Sequence, residues 1–326
     1  MVVVSVIMPV HNGKDYLSTS LPAVRKSDYP YFELIVIDDN STDGSVNISQ
    51  DFAHTAILLK ERKGPAKARN LGAKKSKGDV LFFVDVDVAI YPDSISKIVR
   101  ELETHPEVSA VFGSYDDTPL EKNFFSIYKN LFHHFVHKNS DIQARTFWAG
   151  CGAVKRDIFL NSGGFPEVYS TPSIEDVVFG YKLVEDGKKI KLLKELEATH
   201  LKKWSFSSLI KTDIVNRAIP WTKLASRKGL PKDLNFKLSD RISGIVCFVL
   251  LPFSALIGKF IFIIPLCLLL LIINRKLYSF FLKKRGIIFA LFSILFHWLY
   301  LFYSSAVYTF VSAFFVLTGI IGRDKK

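Results

Sequence analysis

Cysteine is scarce in this chain: of its 326 residues three are cysteines, Cys151, Cys247 and Cys267, an odd number with no metal-ligand spacing. That excludes a disulfide framework and a cysteine-built zinc site, and it fits a first half that faces a reducing cytosol. No internal repeat and no low-complexity segment is present, which excludes a solenoid. The opening MVVVSVIMPV has neither a basic lead nor a small-residue cleavage site, and reads as a first β-strand rather than a signal peptide. No Gly-Lys-Ser or Gly-Lys-Thr occurs anywhere, so a Walker phosphate loop is excluded.

What the chain does have is positive charge and a hydrophobic tail. The formal net charge is +12. Such an excess suits a nucleic-acid binder, a protein resting on an anionic membrane, or a binder of phosphorylated small molecules. From Ile242 onward the sequence is dominated by Ile, Leu, Phe and Val, and this favours the membrane over nucleic acid. The runs 242–257 and 260–273 are each short for a full span of about 20 residues, whereas 287–321 is longer than one upright helix needs. The basic clusters at 274–286 and 323–326 flank these runs. Because basic loops stay cytoplasmic, the first half, that loop and the C-terminus are expected on one side. That requires an even number of crossings, or hairpins that dip in and return. The chain therefore reads as three parts: a catalytic domain over 1–203, a basic and aromatic membrane-surface connector over 204–241, and membrane helices over 242–326.

The first part alternates. Apolar β-branched runs at 2–8, 32–37, 56–59 and 80–84 are separated by helical patterns at 16–26, 45–54 and 66–75. Strand alternating with helix predicts an α/β fold with a Rossmann-like, mostly parallel, doubly wound sheet flanked by helices. Ligands then bind beyond the carboxyl ends of the strands. Further helices are expected at 124–137 and 175–186, and strands at 147–154 and 188–193.

Polar clusters fall at those strand ends. In VLFFVDVDV, residues 80–88, Asp85 and Asp87 follow the fourth strand, two residues apart and so expected on one face. Converging carboxylates repel unless a cation sits between them, and hard oxygen ligands favour Mg2+ or Mn2+. Residues 60–70 place basic groups at a helix start, where anions already bind well; Arg69 stands out because it occupies a different helical face from Lys67. Asp38 and Asp39 end the second strand, where an acid can accept from a ribose hydroxyl or a base N–H, or simply cap the turn. His133, His134 and His137 have no acid beside them and read as an amphipathic surface.

The ordered set SVIMPVHNG, ELIVIDDNSTDGS, GPAKARNLGA, FFVDVDV, GGF and IEDVVFGYKL resembles the family 2 glycosyltransferases of GT-A fold, over roughly residues 3–200. The resemblance implies an enzyme that uses a nucleoside-diphosphate sugar as donor, a divalent metal, and inversion at the anomeric carbon. By position, Pro9, Val10 and His11 would line the nucleoside site, Asp39 would hold the base, and Arg69 would lie near the nucleotide. Asp85 and Asp87 would serve ribose and metal, with His200 a further metal ligand or a structural histidine. Asp176 matches the catalytic base, with Glu175 ranked second. Trp148 and 150–153 match the acceptor region, where Cys151 reads as a small packing residue. The Gln-x-x-Arg-Trp motif of processive synthases is missing, which favours single sugar transfer. The expectation is a membrane-anchored, metal-dependent hexosyltransferase on the cytoplasmic face, acting on a lipid or lipid-linked acceptor and not on nucleic acid. The alternatives are a membrane scaffold with a degenerate transferase domain and a nucleotidyltransferase.

Overall fold

The first strand, β1 (Val4–Val10), is buried along its whole length, as a nearly continuous apolar run must be when both sheet faces are covered. The computed structural model that shows this describes residues 1–228 and 238–318; the stretch 229–237 of the expected connector and the basic C-terminus 323–326 lie outside the described residues. The chain divides into two compact units, Met1–Lys203 and Trp204–Lys326.

In the first unit β1 is followed by α1 (Lys14–Arg25), β2 (Phe32–Asp38), α2 (Ser45–Phe52), β3 (Thr55–Leu58), α3 (Pro65–Lys75) and β4 (Val80–Val84). All four strands run parallel, in the order β3-β2-β1-β4. The order reverses between β1 and β4, which makes their carboxyl ends the expected ligand crevice. Pairing of β1 with β4 stops at Ile7 and Phe83. Pro9, which has no N–H to give, sits beyond the last residue that β4 pairs.

The second half of the sheet is not parallel. β5 (Val88–Ile90), α4 (Ser94–Thr104), β6 (Val108–Tyr115), α5 (Phe124–Lys138), β7 (Gln143–Ala144), β8 (Cys151–Lys155), α6 (Arg156–Asn161), α7 (Glu175–Glu185) and β9 (Lys189–His200) complete the unit. β8 lies antiparallel between β4 and β6, and β9 carries β6 in parallel on one side with β5 antiparallel on the other. The sheet is therefore mixed, and the doubly wound parallel reading holds for β1 to β4. β6 has no counterpart in the sequence reading, and β9 runs seven residues past the expected end at 193, because its later residues pair with β6 and β5 rather than stopping at a turn.

Alternation along β1 sorts the core into two layers. Val4, Val6, Met8 and Val10 meet Leu17, Leu21 and Val24 of α1 on one face; Ile7 joins the layer on the other face with α3 and the aromatic group Phe83, Phe147, Phe159, Phe165 and Phe179. There α3 presents small residues, and a Cβ on Gly72 would come within 2.6 Å of Ile7 and 2.7 Å of Ile37. That close approach fixes the height of α3 over the sheet.

The second unit is helical. α8 (Phe206–Lys211), a π-helical stretch (Thr212–Ala218) and α9 (Ile219–Lys228) form its first segment. Most of the expected connector is thus helix with a buried side: Leu209, Asp213, Thr222 and Ala225 are covered, and Tyr303 donates to Asp213 at 2.9 Å. α10 (Leu238–Ile245), a second π-helical stretch (Val246–Leu250), α11 (Leu251–Leu256), a short turn (Phe260–Phe262), α12 (Ile263–Ile273) and α13 (Arg275–Thr318) follow. α13 breaks at Gly286, whose φ is 80°. By length and composition Leu238–Leu256 and Arg275–Thr318 could each cross a membrane, and Phe260–Ile273 is shorter.

Phe83 contacts Phe159 and Phe165 with ring centroids 5.1 and 5.0 Å away, so truncating it opens a cavity beneath the crevice. Phe83→Ala is expected to lower stability by about 3–5 kcal/mol, while Leu160→Ala, at a surface position, stays within roughly 0.5 kcal/mol. Denaturant unfolding of both variants checks the contrast.

Candidate active site

The loops after β1 and β2 are laced together before any ligand arrives. His11 Nδ1 donates to the Asp39 carbonyl (2.8 Å), Asn12 N–H donates to Ser41 Oγ (3.0 Å), and Thr42 N–H donates to Asn12 Oδ1 (2.8 Å). Asn12 and Asn40 hold positive φ of 51° and 62°, a conformation asparagine tolerates better than most side chains. Asp38 accepts from Ser41 N–H (2.8 Å) and so plays the turn-capping part. Pro9 and Val10 are buried in the sheet, and of that predicted trio His11 alone stands partly open at the crevice.

Asp39 reaches across to the start of α3. Its two oxygens accept from the N–H groups of Lys63 (2.6 Å) and Gly64 (2.8 Å). Gly64 needs to be glycine twice over: its φ is +89°, and a Cβ would lie 2.6 Å from the Ser170 carbonyl oxygen. A carboxylate offers about four acceptor sites, so Asp39 retains capacity for a further donor such as a base N–H.

Arg69, on the buried side of α3, does something the sequence did not suggest. One of its terminal nitrogens donates to Asp85 Oδ1 (2.6 Å) and the other to Glu175 Oε1 (3.0 Å). The guanidinium lies 5.7 Å above the Phe165 ring. Burial would lower its pKa, but the charges of Asp85 and then Glu175 outweigh burial and hold it well above the ordinary value. Besides its expected place near the nucleotide, Arg69 forms a bridge between two acids. Its neighbour Asn70 clamps the Gly-Gly-Phe turn, exchanging 2.9 Å bonds with the backbone of Phe165 in both directions. A Cβ on Gly164 would sit 2.5 Å from the Asn70 oxygen.

Asp85 and Asp87 do not share a strand face. β4 ends at Val84, and Val88 N–H donates back to the Asp85 carbonyl (3.0 Å). The two acids therefore leave a turn, closed by its own hydrogen bond once the β4 pairing to β8 is exhausted. Asp87 Oδ2 lies 3.9 Å from His200 Nε2 and 3.7 Å from Lys202 Nζ. His200 ends β9, paired with Val88, and its ring is stacked on Tyr115 at 4.1 Å. Among the described residues no three His, Cys, Asp or Glu side chains close into a ready cage. The donor set of Asp85, Asp87 and His200 nevertheless suits a hard cation that takes one or two carboxylates and completes its shell with water and substrate phosphate.

The two candidate bases are told apart by their partners. Glu175 is buried, and its oxygens are taken by Arg69 and by Ser173 N–H (2.9 Å). Asp176 is half-buried and accepts from Ala149 N–H (3.1 Å) and Val177 N–H (2.8 Å). Burial, then the neighbouring charge of Glu175, pushes the Asp176 pKa up to about 7 against the pull of Ala149 N–H and Arg69. Asp85 N–H donates to the carbonyl of Gly150 (3.2 Å). The adjacent residues Ala149 and Gly150 thus tether Asp176 and Asp85 to one short segment. Beside them Cys151 is buried with its thiol pushed up to about 12 by burial and then by Asp85, as befits a packing residue.

The histidine trio is not a surface stripe. His134 and His137 are covered, and their Nδ1 atoms bond the carbonyls of Tyr115 (2.7 Å) and Gly113 (3.0 Å). Burial pushes His137 down to about 4. With Trp148 and Tyr115, His133 and His137 form an aromatic wall, and Tyr115 stacks on His200. Sequence reasoning also passed over Lys202 and Tyr16, whose phenol is pushed up by burial and then by Asp87. No spacing signal marks either, since both reach the crevice from distant elements.

The mixed α/β sheet with flanking helices matches the fold of GT-A glycosyltransferase structures. The family described as Glycosyl transferase family 2 matches residues 5–162, and over that stretch the chain is similar to its members. It is 35% identical over 129 residues to an uncharacterized glycosyltransferase of Haemophilus influenzae, covering 38% of this chain and 51% of that protein. It is 31% identical over 108 residues to the poly(ribitol-phosphate) beta-N-acetylglucosaminyltransferase TarS of Staphylococcus aureus, covering 31% of this chain and 19% of that one. The chain thus spans about half, or less, of the length of these curated relatives. Among solved structures, the mannosyltransferase PcManGT of Pyrobaculum calidifontis, in complex with GDP-Man and Mn2+, aligns over 99% of this chain and 88% of its own. The TM-score is 0.55 at 19% identity, a likeness of fold.

Removing Arg69 leaves two acids facing each other, one of them buried. Arg69→Met is expected to cost about 3–5 kcal/mol, and adding Glu175→Met to recover much of it. Denaturant unfolding of the single and double variants checks this.

Proposed function

We propose that this chain transfers one sugar from a nucleoside-diphosphate sugar, with inversion at the anomeric carbon, to a hydroxyl or phosphate of a lipid or lipid-linked acceptor on the cytoplasmic face of a membrane. The observation that carries the reading is the bridge through Arg69, which joins the Asp85–Asp87 turn to the start of α7 and so sets donor-side acids and a base around one crevice. The solved mannosyltransferase holds GDP-Man and Mn2+, and TarS is named for a poly(ribitol-phosphate) acceptor; both favour a nucleotide-sugar donor and an envelope-type acceptor. The apolar helices of the second unit and the basic residues beside them favour the membrane.

In this reading Asp39 and the loop at His11 receive the nucleoside, and Asp85 faces the ribose. Asp85, Asp87 and His200 would hold a Mn2+ or Mg2+ ion, which when bound offsets the charge of the departing diphosphate. Lys202 adds a positive charge on the same side. Asp176 takes the proton of the acceptor hydroxyl as that oxygen attacks the anomeric carbon from the face opposite the diphosphate. Its pKa near 7 places it where a base is both deprotonated and strong enough to act. Burial and then the charge of Glu175 raise its basicity against the pull of Arg69, which in turn, through Glu175, anchors the start of the helix that carries it. Trp148, on the residue before Ala149, would bound the acceptor side.

The test is a panel of UDP- and GDP-sugars with Mn2+, read by thermal stabilisation and by nucleotide release. Binding of the right donor raises the melting temperature by mass action. Asp176→Asn should keep that shift and lose about 10²–10⁴-fold in turnover. In the unaltered enzyme the base is active only when deprotonated, so turnover rises with pH through about 7; the residual rate of Asp176→Asn should lack this limb. Asp87→Ala should lose the metal-dependent part of donor binding. A folded chain that no nucleotide stabilises would be the scaffold instead.

A further inference from the structure

The second unit contains a hairpin whose two ends differ sharply in chemistry. One arm runs from Ser243 through α11 to Ile257, and the other from Phe260 through α12 to Asn274. At the base Asn274 Nδ2 donates to Ser243 Oγ (3.0 Å) and to the Leu270 carbonyl (2.9 Å), and Arg241, Arg275 and Lys276 cluster in sequence around this clasp. At the tip Gly258, with φ of +68°, reverses the chain. The tip is bare hydrocarbon: Leu256 is 84% exposed, Ile261 77%, Ile264 70% and Phe260 64%. Lys259 is the single charged side chain between Ser243 and Asn274.

Resting on the membrane reading above, we infer that residues 243–274 form a re-entrant hairpin. Its tip lies in the hydrocarbon of a lipid bilayer and does not emerge on the far side. Length decides between dipping and crossing. Each arm spans fourteen residue steps from clasp to tip, about 21 Å of helix, against about 30 Å of hydrocarbon. Leu238–Leu256 alone is long enough to cross, but the Ser243–Asn274 clasp holds both arms level, and the returning arm is too short. Every exposed apolar residue at the tip then meets lipid, and the basic base meets anionic headgroups. The long stem of Lys259 lets its ammonium climb toward the nearer polar layer.

The full chain with its three cysteines replaced by alanine, carrying Leu256→Cys or Ile261→Cys, tests this in sealed vesicles of both orientations. Lys284→Cys, beyond the clasp, marks the face on which the base lies. The hairpin predicts that neither tip cysteine reacts with an impermeant maleimide from either side, that both react once detergent is added, and that a fluorophore placed there is quenched by lipids carrying a doxyl group on the acyl chain. Reaction from the face opposite Lys284→Cys would mean a full crossing and overturn the inference. Reaction from the same face, or protection without quenching, overturns it as well, since the tip is then in water or covered by protein. Recovery of the chain in the soluble fraction would sink the membrane reading itself, a result distinct from a labelled tip on a membrane-bound chain.

Discussion

A guanidinium buried between two carboxylates organises the first unit. Arg69 comes from α3, Asp85 from the turn after β4, and Glu175 from the start of α7, so one side chain ties three elements that are far apart in sequence. Such a network is poor evidence of net stability, because stripping water from the charges costs about as much as their attraction returns. Its value is directional. Five N–H donors in a rigid plane accept only a narrow set of carboxylate positions, and those positions set where Asp85 and α7 stand. The Phe83–Phe165 group beneath, and the Asn70 clamp on the Gly-Gly-Phe turn, hold Arg69 in place.

From that constraint the division of labour between two adjacent acids follows. Glu175 is held on its two oxygens by Arg69 and by Ser173 N–H. At Asp176, one residue on, burial and then the charge of Glu175 make ionisation harder, and the pKa climbs to about 7. A structural ion pair thus sits beside a carboxyl of raised pKa, much as paired carboxylates elsewhere are driven apart in pKa by their surroundings. The same economy appears on the donor side, where Asp39 fixes the first turn of α3 while keeping acceptor capacity toward the crevice.

Much of this was legible before the coordinates. Four β-branched runs separated by helical patterns gave the parallel half of the sheet, because a strand covered on both faces must be apolar throughout. The acids at strand ends followed from that topology. What failed was local geometry. Asp85 and Asp87 were read as a strand pair, since alternation does not reveal where pairing stops and a turn begins. His133, His134 and His137 were read as surface, since the carbonyls of β6 that receive two of them belong to a strand the pattern did not show. For Arg69, expected near the nucleotide, nothing in the spacing says that it turns inward to Glu175, 106 residues away. Contacts at that separation are written in the fold, not in the motif.

The claim on which the functional account stands is that Asp87 and Asp176 look into one pocket that holds a nucleotide and a divalent ion. Crystals soaked with Mn2+ and UDP or GDP, measured for the anomalous signal of manganese, test it most directly. The account predicts a metal peak bonded to Asp87, with the diphosphate beside it and the open end of the site facing Asp176. A nucleotide seated away from this turn, or a manganese site with protein packed between it and Asp176, would contradict it.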